Sequence, residues 1–200
     1  MKLYYSKGAC SLGVRITIHE IGIACDYEAV NLKTKQTEKG ADYLKINPKG
    51  AVPALQLDDN TILTENAAIQ IYLAEKFNTP QLLPAIGNVK RYRVLEWLSF
   101  ISSDLHKAFS PLFNPNVPEE LKQQIFIPIL KSKLDLLNNH LSHNNYLVSD
   151  QFTIADSYLF VILTWLHHFK LELTNWEHLH GYATLLRQRK SVQEALKEEK

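Results

Sequence analysis

Apolar positions recur with a changing period along the first 80 residues, and each change of period predicts a new element. Residues 2–5, Lys-Leu-Tyr-Tyr, form a short apolar and aromatic run that suits a strand, and Ser6-Lys7-Gly8 behind it reads as a turn. Over residues 11–23, Leu12, Ile16 and Ile23 fall at helical spacing with Val14 and Ile18 beside them. Ser11 stands near where the cap belongs and Gly22 near the end. Residues 27–32 alternate and are rich in strand formers. Two further runs, 51–57 and 61–63, flank Asp58-Asp59-Asn60, which suits a hairpin turn. Helical spacing returns over 65–77 through Ala68, Ile69, Tyr72 and Leu73. The predicted order is strand, helix, strand, short helix or loop, strand, strand, helix. That order implies one small mixed sheet with helices against it.

Residues 78–88 contain Pro80, Pro84 and Gly87 without periodicity and read as a linker. Everything beyond them reads as helical. Leu98, Ile101, Leu105, Phe109 and Leu112 define one helix, which Pro111 and Pro115 are expected to close. Leu121, Ile125 and Ile129, then Leu134, Leu137 and Leu141, read as one second stripe kinked at Pro128. Residues 154–169 are apolar on nearly all sides and predict a central buried helix, with shorter helices over 176–188 and 192–197. The expected fold is therefore an α/β domain over 1–80, a linker over 81–87 and an all-α domain over 88–200.

Charge and composition then narrow the function. With 22 Lys+Arg against 21 Asp+Glu, the net charge of +1 gives no electrostatic support to a nucleic-acid or anionic-membrane partner. The longest apolar run, 158–166, is about half of what a spanning helix needs. The first residues show no apolar signal core, and two cysteines suit a reducing compartment, so the expectation is a cytoplasmic protein. The histidine pairs His140/His143, His167/His168 and His178/His180 lack four converging ligands, so no metal is expected. Seven glycines form neither G-x-G-x-x-G nor a P-loop, which leaves no seat for a nucleotide cofactor.

Four places carry candidate chemistry. Cys10 follows a strand and a turn and precedes a helix, whose free N–H groups and positive end favour a thiolate. Position 13 is Gly, so no resolving Cys-x-x-Cys partner exists, and Cys25 reads as packing. Pro53, at the start of a strand, is either an ordinary edge proline or a cis residue that presents the Val52 backbone to a ligand. Thr64-Glu65-Asn66 opens a helix: free N–H groups there bind anions and Glu65 can hold an ammonium, or Thr64 is simply a cap and Glu65 a first-turn acid. His106 and Lys107, beside Ser103 and Asp104, read equally as a solvated helix face. Thr153-x-x-Asp156 before the buried helix is a capping-box variant with Phe152 as a staple, and its role is structural.

Taken together, a thiol after the first strand, a Val-Pro before the third and an acid/amide pair opening a helix resemble the thioredoxin-like domain of glutathione transferases. Phe-Thr-Ile-Ala-Asp-Ser-Tyr at 152–158 is similar to that family's buried-helix motif. Gly-Ala-Cys-Ser-Leu at 8–12, Asn-Pro-Lys-Gly-Ala-Val-Pro-Ala-Leu at 47–55 and Leu-His-Lys-Ala-Phe at 105–109 resemble the bacterial beta class. The resemblance covers essentially the whole chain. It implies a transferase that binds glutathione, stabilises its thiolate and conjugates it to hydrophobic electrophiles, with glutathione-dependent thiol-disulfide activity through Cys10 and no other cofactor. By the same resemblance Cys10 lies at the glutathione sulfur, and Val52, before a cis Pro53, pairs with the cysteinyl part. Glu65 and Asn66 hold the γ-glutamyl end, and Lys35 reaches the glycine carboxylate. Ser103 and Asp104 approach from the second subunit of a homodimer, and His106 faces the sulfur. Ser99 departs from the Asn common in beta-class relatives. Tyr5, Phe109, Phe113 and Trp165 are candidate pocket walls, although core packing accounts for each equally well. A carrier or interaction protein with little turnover is the alternative.

Overall fold

Strand β1 (Lys2–Tyr5) lies in the middle of a mixed sheet in the computed structural model, which describes residues 1–148 and 150–199. It pairs in parallel with β2 (Asp26–Asn31), Leu3 opposite Tyr27, and the crossover such a pair requires is helix α1 (Ser11–Ile21). Gly22, at φ +77, ends that helix in the left-handed conformation that glycine adopts without a Cβ clash. On the other side of β1 runs the antiparallel hairpin of β4 (Ala54–Gln56) and β5 (Ile62–Thr64), turning through Asp58-Asp59-Asn60. A two-residue strand, β3 (Gln36–Thr37), adds antiparallel to β2. It is absent from the sequence reading because two residues have no period. A single 3₁₀ turn, Tyr43–Lys45, fills the place left as a short helix or loop. Leu3 and Leu55 of the sheet are sealed by Val14 and Ile18 of α1 and by Ile69 and Leu73 of α2 (Asn66–Lys76).

The second half begins with α3 (Val89–Phe100), which a π turn at Ile101–Leu105 joins without a break to α4 (His106–Phe113). Pro111 does not close this helix as expected. It lies inside α4, where its ring fixes a helical φ, and the helix runs two residues further before Asn114 turns extended. The next rod is α5 (Glu119–Leu121), a π turn at Lys122–Phe126, and α6 (Ile127–Leu141). The widened turn falls directly before Pro128, which has no N–H to give to that turn. The predicted stripe is corrected here. Ile127, Leu130, Leu134, Leu137 and Leu141 are buried, whereas Leu121, Ile125 and Ile129 are exposed. Counting back from Leu141 by threes and fours reaches 130 and 127, so Ile129 belongs to the opposite face.

Helix α7 (Ile154–Thr164) is buried along ten residues and continues as a 3₁₀ segment, Trp165–Phe169, before α8 (Glu177–Arg187) and α9 (Lys190–Glu198). Gly13 lets α1 lie against α7, because a Cβ there would stand 3.3 Å from Ser157 O and Tyr158 Cα. Asp156 is fully buried: Oδ2 accepts from the Thr153 backbone and hydroxyl, and Oδ1 accepts from Leu147 N and Tyr182 OH. Among the described residues, no helix is long and apolar enough to cross a membrane.

Candidate functional site

The junction of β1 and α1 places Cys10, not Ser11, at the helix cap, while Ser11 bonds back to the Ser6 backbone. The thiol is 8% exposed and donates to Val52 O at 3.3 Å. Burial pushes it up to about 11, against the lowering exerted by Asn66 and by the backbone N–H groups of Cys10 and Ser11. The expectation of a helix-stabilised thiolate is corrected on this point. The helix start acts in the predicted direction, but desolvation outweighs it and the unliganded thiol is protonated at neutral pH. The Val52–Pro53 peptide is cis.

Glu65, expected as a first-turn acid after a Thr64 cap, is itself the residue before α2, at φ +72. Its carboxylate is exposed and paired with Lys49 Nζ at 2.6 Å, and Lys49 also donates to Thr64 Oγ1 at 3.0 Å. Asn66 is buried and committed: Nδ2 donates to Cys10 O at 2.6 Å and Oδ1 accepts from Gln70. Gln70 in turn accepts from Thr17, at 2.6 Å, and from Ser157 of α7, so a buried polar chain runs from the helical half to the Cys10 carbonyl.

Opposite these groups stands the helical half. His106 Nδ1 lies 2.7 Å from Tyr158 OH, and its ring meets Trp165 edge-on at 4.8 Å. Burial, then the charge of Lys107, pushes His106 down to about 4, and burial pushes the Tyr158 phenol well above its ordinary value. Both groups are therefore neutral at physiological pH.

These two walls enclose one cavity of about 520 Å³, in which Cys10, Lys35, Val52, Glu65, Asn66 and His106 come together. Lys35 donates to Gly50 O at 2.7 Å. Lys49, Ser102 and Tyr158 also line the cavity and were not singled out from the sequence. Ser103 and Asp104 lie outside it on the exposed side of the π turn. Ser103 donates to Ser99 O at 2.8 Å, and Asp104 pairs with Lys133 at 3.2 Å. Ser99 donates to Leu95 O at 2.9 Å. Of the expected walls, Trp165 lines the cavity, Phe109 is buried behind it at 5.5 Å and Phe113 packs on its outer side at 5.6 Å. Tyr5 is not a wall, because its ring covers the Arg15 guanidinium at 4.1 Å. Cys25 donates to backbone carbonyls, with Asp26 O at 3.3 Å. Among the described residues, no three His, Cys, Asp or Glu side chains converge to hold a metal ion.

Comparison with known proteins decides the family. Residues 8–76 match the glutathione S-transferase N-terminal domain and residues 100–190 the C-terminal domain. The chain is 44% identical over 199 residues to glutathione S-transferase GstA of Escherichia coli O157:H7, covering 100% of this chain and 98% of that one. The chain belongs to the glutathione S-transferase family. Within it, a beta-class glutathione S-transferase of Sphingomonas chungbukensis superposes with TM-score 0.95 at 41% identity, over 100% of this chain and 98% of that one. A sphingomonad glutathione S-transferase complexed with glutathione superposes equally, TM-score 0.95 at 40% identity over 100% and 98%. The thioredoxin-like sheet and the helical bundle of this glutathione S-transferase thus carry the bacterial beta-class form of the fold.

In this transferase the buried imidazole has a measurable consequence. The unfolded chain takes up the His106 proton near pH 6.5 and the folded chain near 4, so protons favour unfolding within that window. Stability is full above about pH 6.5 and falls as pH drops towards 4, by on the order of 3 kcal/mol from this residue. Denaturant unfolding of the parent and of His106→Phe across that range checks it: the variant should lose this part of the slope. A side-chain NMR titration of His106 should show its midpoint near pH 4.

Proposed function

We propose that this glutathione transferase binds glutathione in the cavity between sheet and bundle and presents its sulfur to a hydrophobic electrophile held against Trp165. One observation carries the reading: the Cys10 thiol, the Val52 backbone and the α2 start face His106, Tyr158 and Trp165 across one space. Glu65 accepts the γ-glutamyl ammonium, which takes the place now held by Lys49. The Asn66 side chain is already used, so its helix-start N–H is the group that meets the ligand carboxylate. Lys35, with Lys49 released from Glu65, faces the glycine carboxylate. Val52 pairs through its backbone with the cysteinyl residue. Neutral His106, with Nδ1 at Tyr158 OH, donates its Nε2–H to the glutathione sulfur, which favours the nucleophilic thiolate.

In the redox branch, the Cys10 thiol loses its proton to solvent and the thiolate attacks the glutathione sulfur of a mixed disulfide between glutathione and another thiol. That S–S bond breaks, a Cys10–glutathione disulfide forms, and the other thiol leaves as thiolate. A second glutathione thiolate then attacks the glutathione sulfur of the Cys10 adduct, forming oxidised glutathione and returning Cys10 as thiolate. We place residues 1–80 as the glutathione-binding domain, 81–87 as the linker and 88–200 as the electrophile side. The exposed apolar row Leu121, Ile125, Ile129 and Leu136 supports a homodimer, in which Ser103 and Asp104 approach the partner subunit's cavity. Two free cysteines favour the cytoplasm.

Retention on immobilised glutathione, followed by glutathione-dependent turnover of an aryl halide, tests the reading. Retention without turnover would make the chain a carrier, and flow-through would remove glutathione altogether. Glu65→Gln should raise KM for glutathione about tenfold with kcat little changed, the effect of losing one charge-assisted hydrogen bond. An unchanged KM would move the ammonium away from α2.

A further inference from the structure

Two residues before Cys10, the Gly8 peptide is held at both ends by the second half of the chain. Its N–H donates to Glu199 Oε2 at 2.8 Å, and its carbonyl accepts the Trp165 indole N–H at 2.8 Å. Gly8 has φ +70, a conformation that side-chain-bearing residues resist, so the turn depends on this residue and on what grips it. Glu199 arrives at the carboxyl end of α9, which is fastened to the middle of α1. Arg15 is 2% exposed and lies between Tyr5 and Tyr27, its guanidinium carbon 4.1 Å from each ring centroid. From there it reaches Glu198 at 3.3 Å and Glu199 Oε1 at 4.0 Å.

A buried acid in this place works against two effects. The end of a helix repels negative charge, and burial pushes the Glu199 carboxyl up from its ordinary value. It is nonetheless turned inward, where Oε1 faces the Arg15 guanidinium at 4.0 Å and Oε2 takes one peptide N–H of the turn that carries the thiol.

We propose that Glu199 is a positioning residue for Cys10: its carboxylate clamps the Gly8 peptide, and this holds the 6–10 turn so that the thiol stays shielded against Val52 O. The proposal rests on Cys10 being the thiol of the glutathione site, and its test does not need glutathione. Iodoacetamide alkylation is followed at Cys10 by peptide-resolved mass spectrometry, which separates it from Cys25. The thiolate attacks the methylene, iodide leaves, and the thiol proton passes to buffer.

Glu199→Ala should react at Cys10 about tenfold faster than the parent, the fold-change matching one lost charge-assisted hydrogen bond. Glu199→Gln, whose amide oxygen still accepts from Gly8, should stay within about twofold of the parent. Glu198→Ala loosens α9 from Arg15 and His19 without touching Gly8, so it should lower the melting temperature and leave the Cys10 rate alone. If Glu199→Ala does not fold, Glu199→Asp withdraws the acceptor by one methylene and keeps the charge, and the same acceleration is expected. With glutathione and an aryl halide, the accelerated variant should show a lower kcat at unchanged KM for glutathione. An unaccelerated Cys10 in the folded variant overturns the proposal, as does equal acceleration in Glu199→Gln or Glu198→Ala. A parent that shows no glutathione turnover would defeat the functional reading and leave the alkylation result to decide this one.

Discussion

Asp156→Ala should lower the melting temperature by about 10 °C while leaving turnover per folded molecule unchanged at a temperature where the variant is native. The carboxylate is buried and serves four donors: Leu147 N, Thr153 N, Thr153 Oγ1 and Tyr182 OH, at 2.8–2.9 Å. Alanine leaves those donors without an acceptor in a place water does not reach. Each such group costs about 1–3 kcal/mol, and the whole loss should be about 3–5 kcal/mol. For a chain of this length each kcal/mol corresponds to about 2–4 °C, which sets the expected shift. Differential scanning calorimetry checks it. A shift under about 2 °C would mean that the donors find other partners, and that Asp156 caps one helix without joining three segments.

The largest chemical effect belongs to Cys10. On incubation with oxidised glutathione, the parent should gain one glutathione by intact mass and Cys10→Ala none. Because burial places the thiol at about 11, the rate of adduct formation should rise roughly tenfold per pH unit between about 7 and 10, following the thiolate fraction. Conjugation to an aryl halide should survive in Cys10→Ala within about tenfold, since glutathione brings its own sulfur and the groups that hold it remain. No adduct on the parent would reduce Cys10 to a packing residue. An adduct that persists in Cys10→Ala would belong to Cys25.

What the sequence could convey depended on how local each feature is. The strand-turn-helix around Cys10 and the hairpin at 58–60 are set within a few residues of themselves, and they are legible for that reason. The same holds for Thr153-x-x-Asp156, although Leu147 and Tyr182 as further donors were not visible. The stripe on the α5–α6 rod failed because a second apolar face lies across the rod from the buried one and Pro128 hides which one continues. Tyr158 escaped notice because its meaning depends on His106, 52 residues away. Lys49 sat unremarked inside a motif read for its proline, although it lies against Glu65. The thiol's acidity was misjudged for a different reason. A helix start can be read from neighbours in sequence, whereas burial depends on segments such as Val52, 42 residues away, that only the fold brings against the thiol.

The buried chain from Ser157 through Gln70 and Asn66 to the Cys10 carbonyl has a mechanical consequence. Swinging the sheet away from the bundle would strip several buried polar atoms of their partners at once, and Gly13 lets the two backbones sit too close for a water layer to replace them. The two halves therefore form one stiff body about this seam. Lys49, exposed at the cavity, and Phe113, exposed beside Trp165, can turn without breaking that chain, so side-chain rotation at the rim is the motion this seam leaves free.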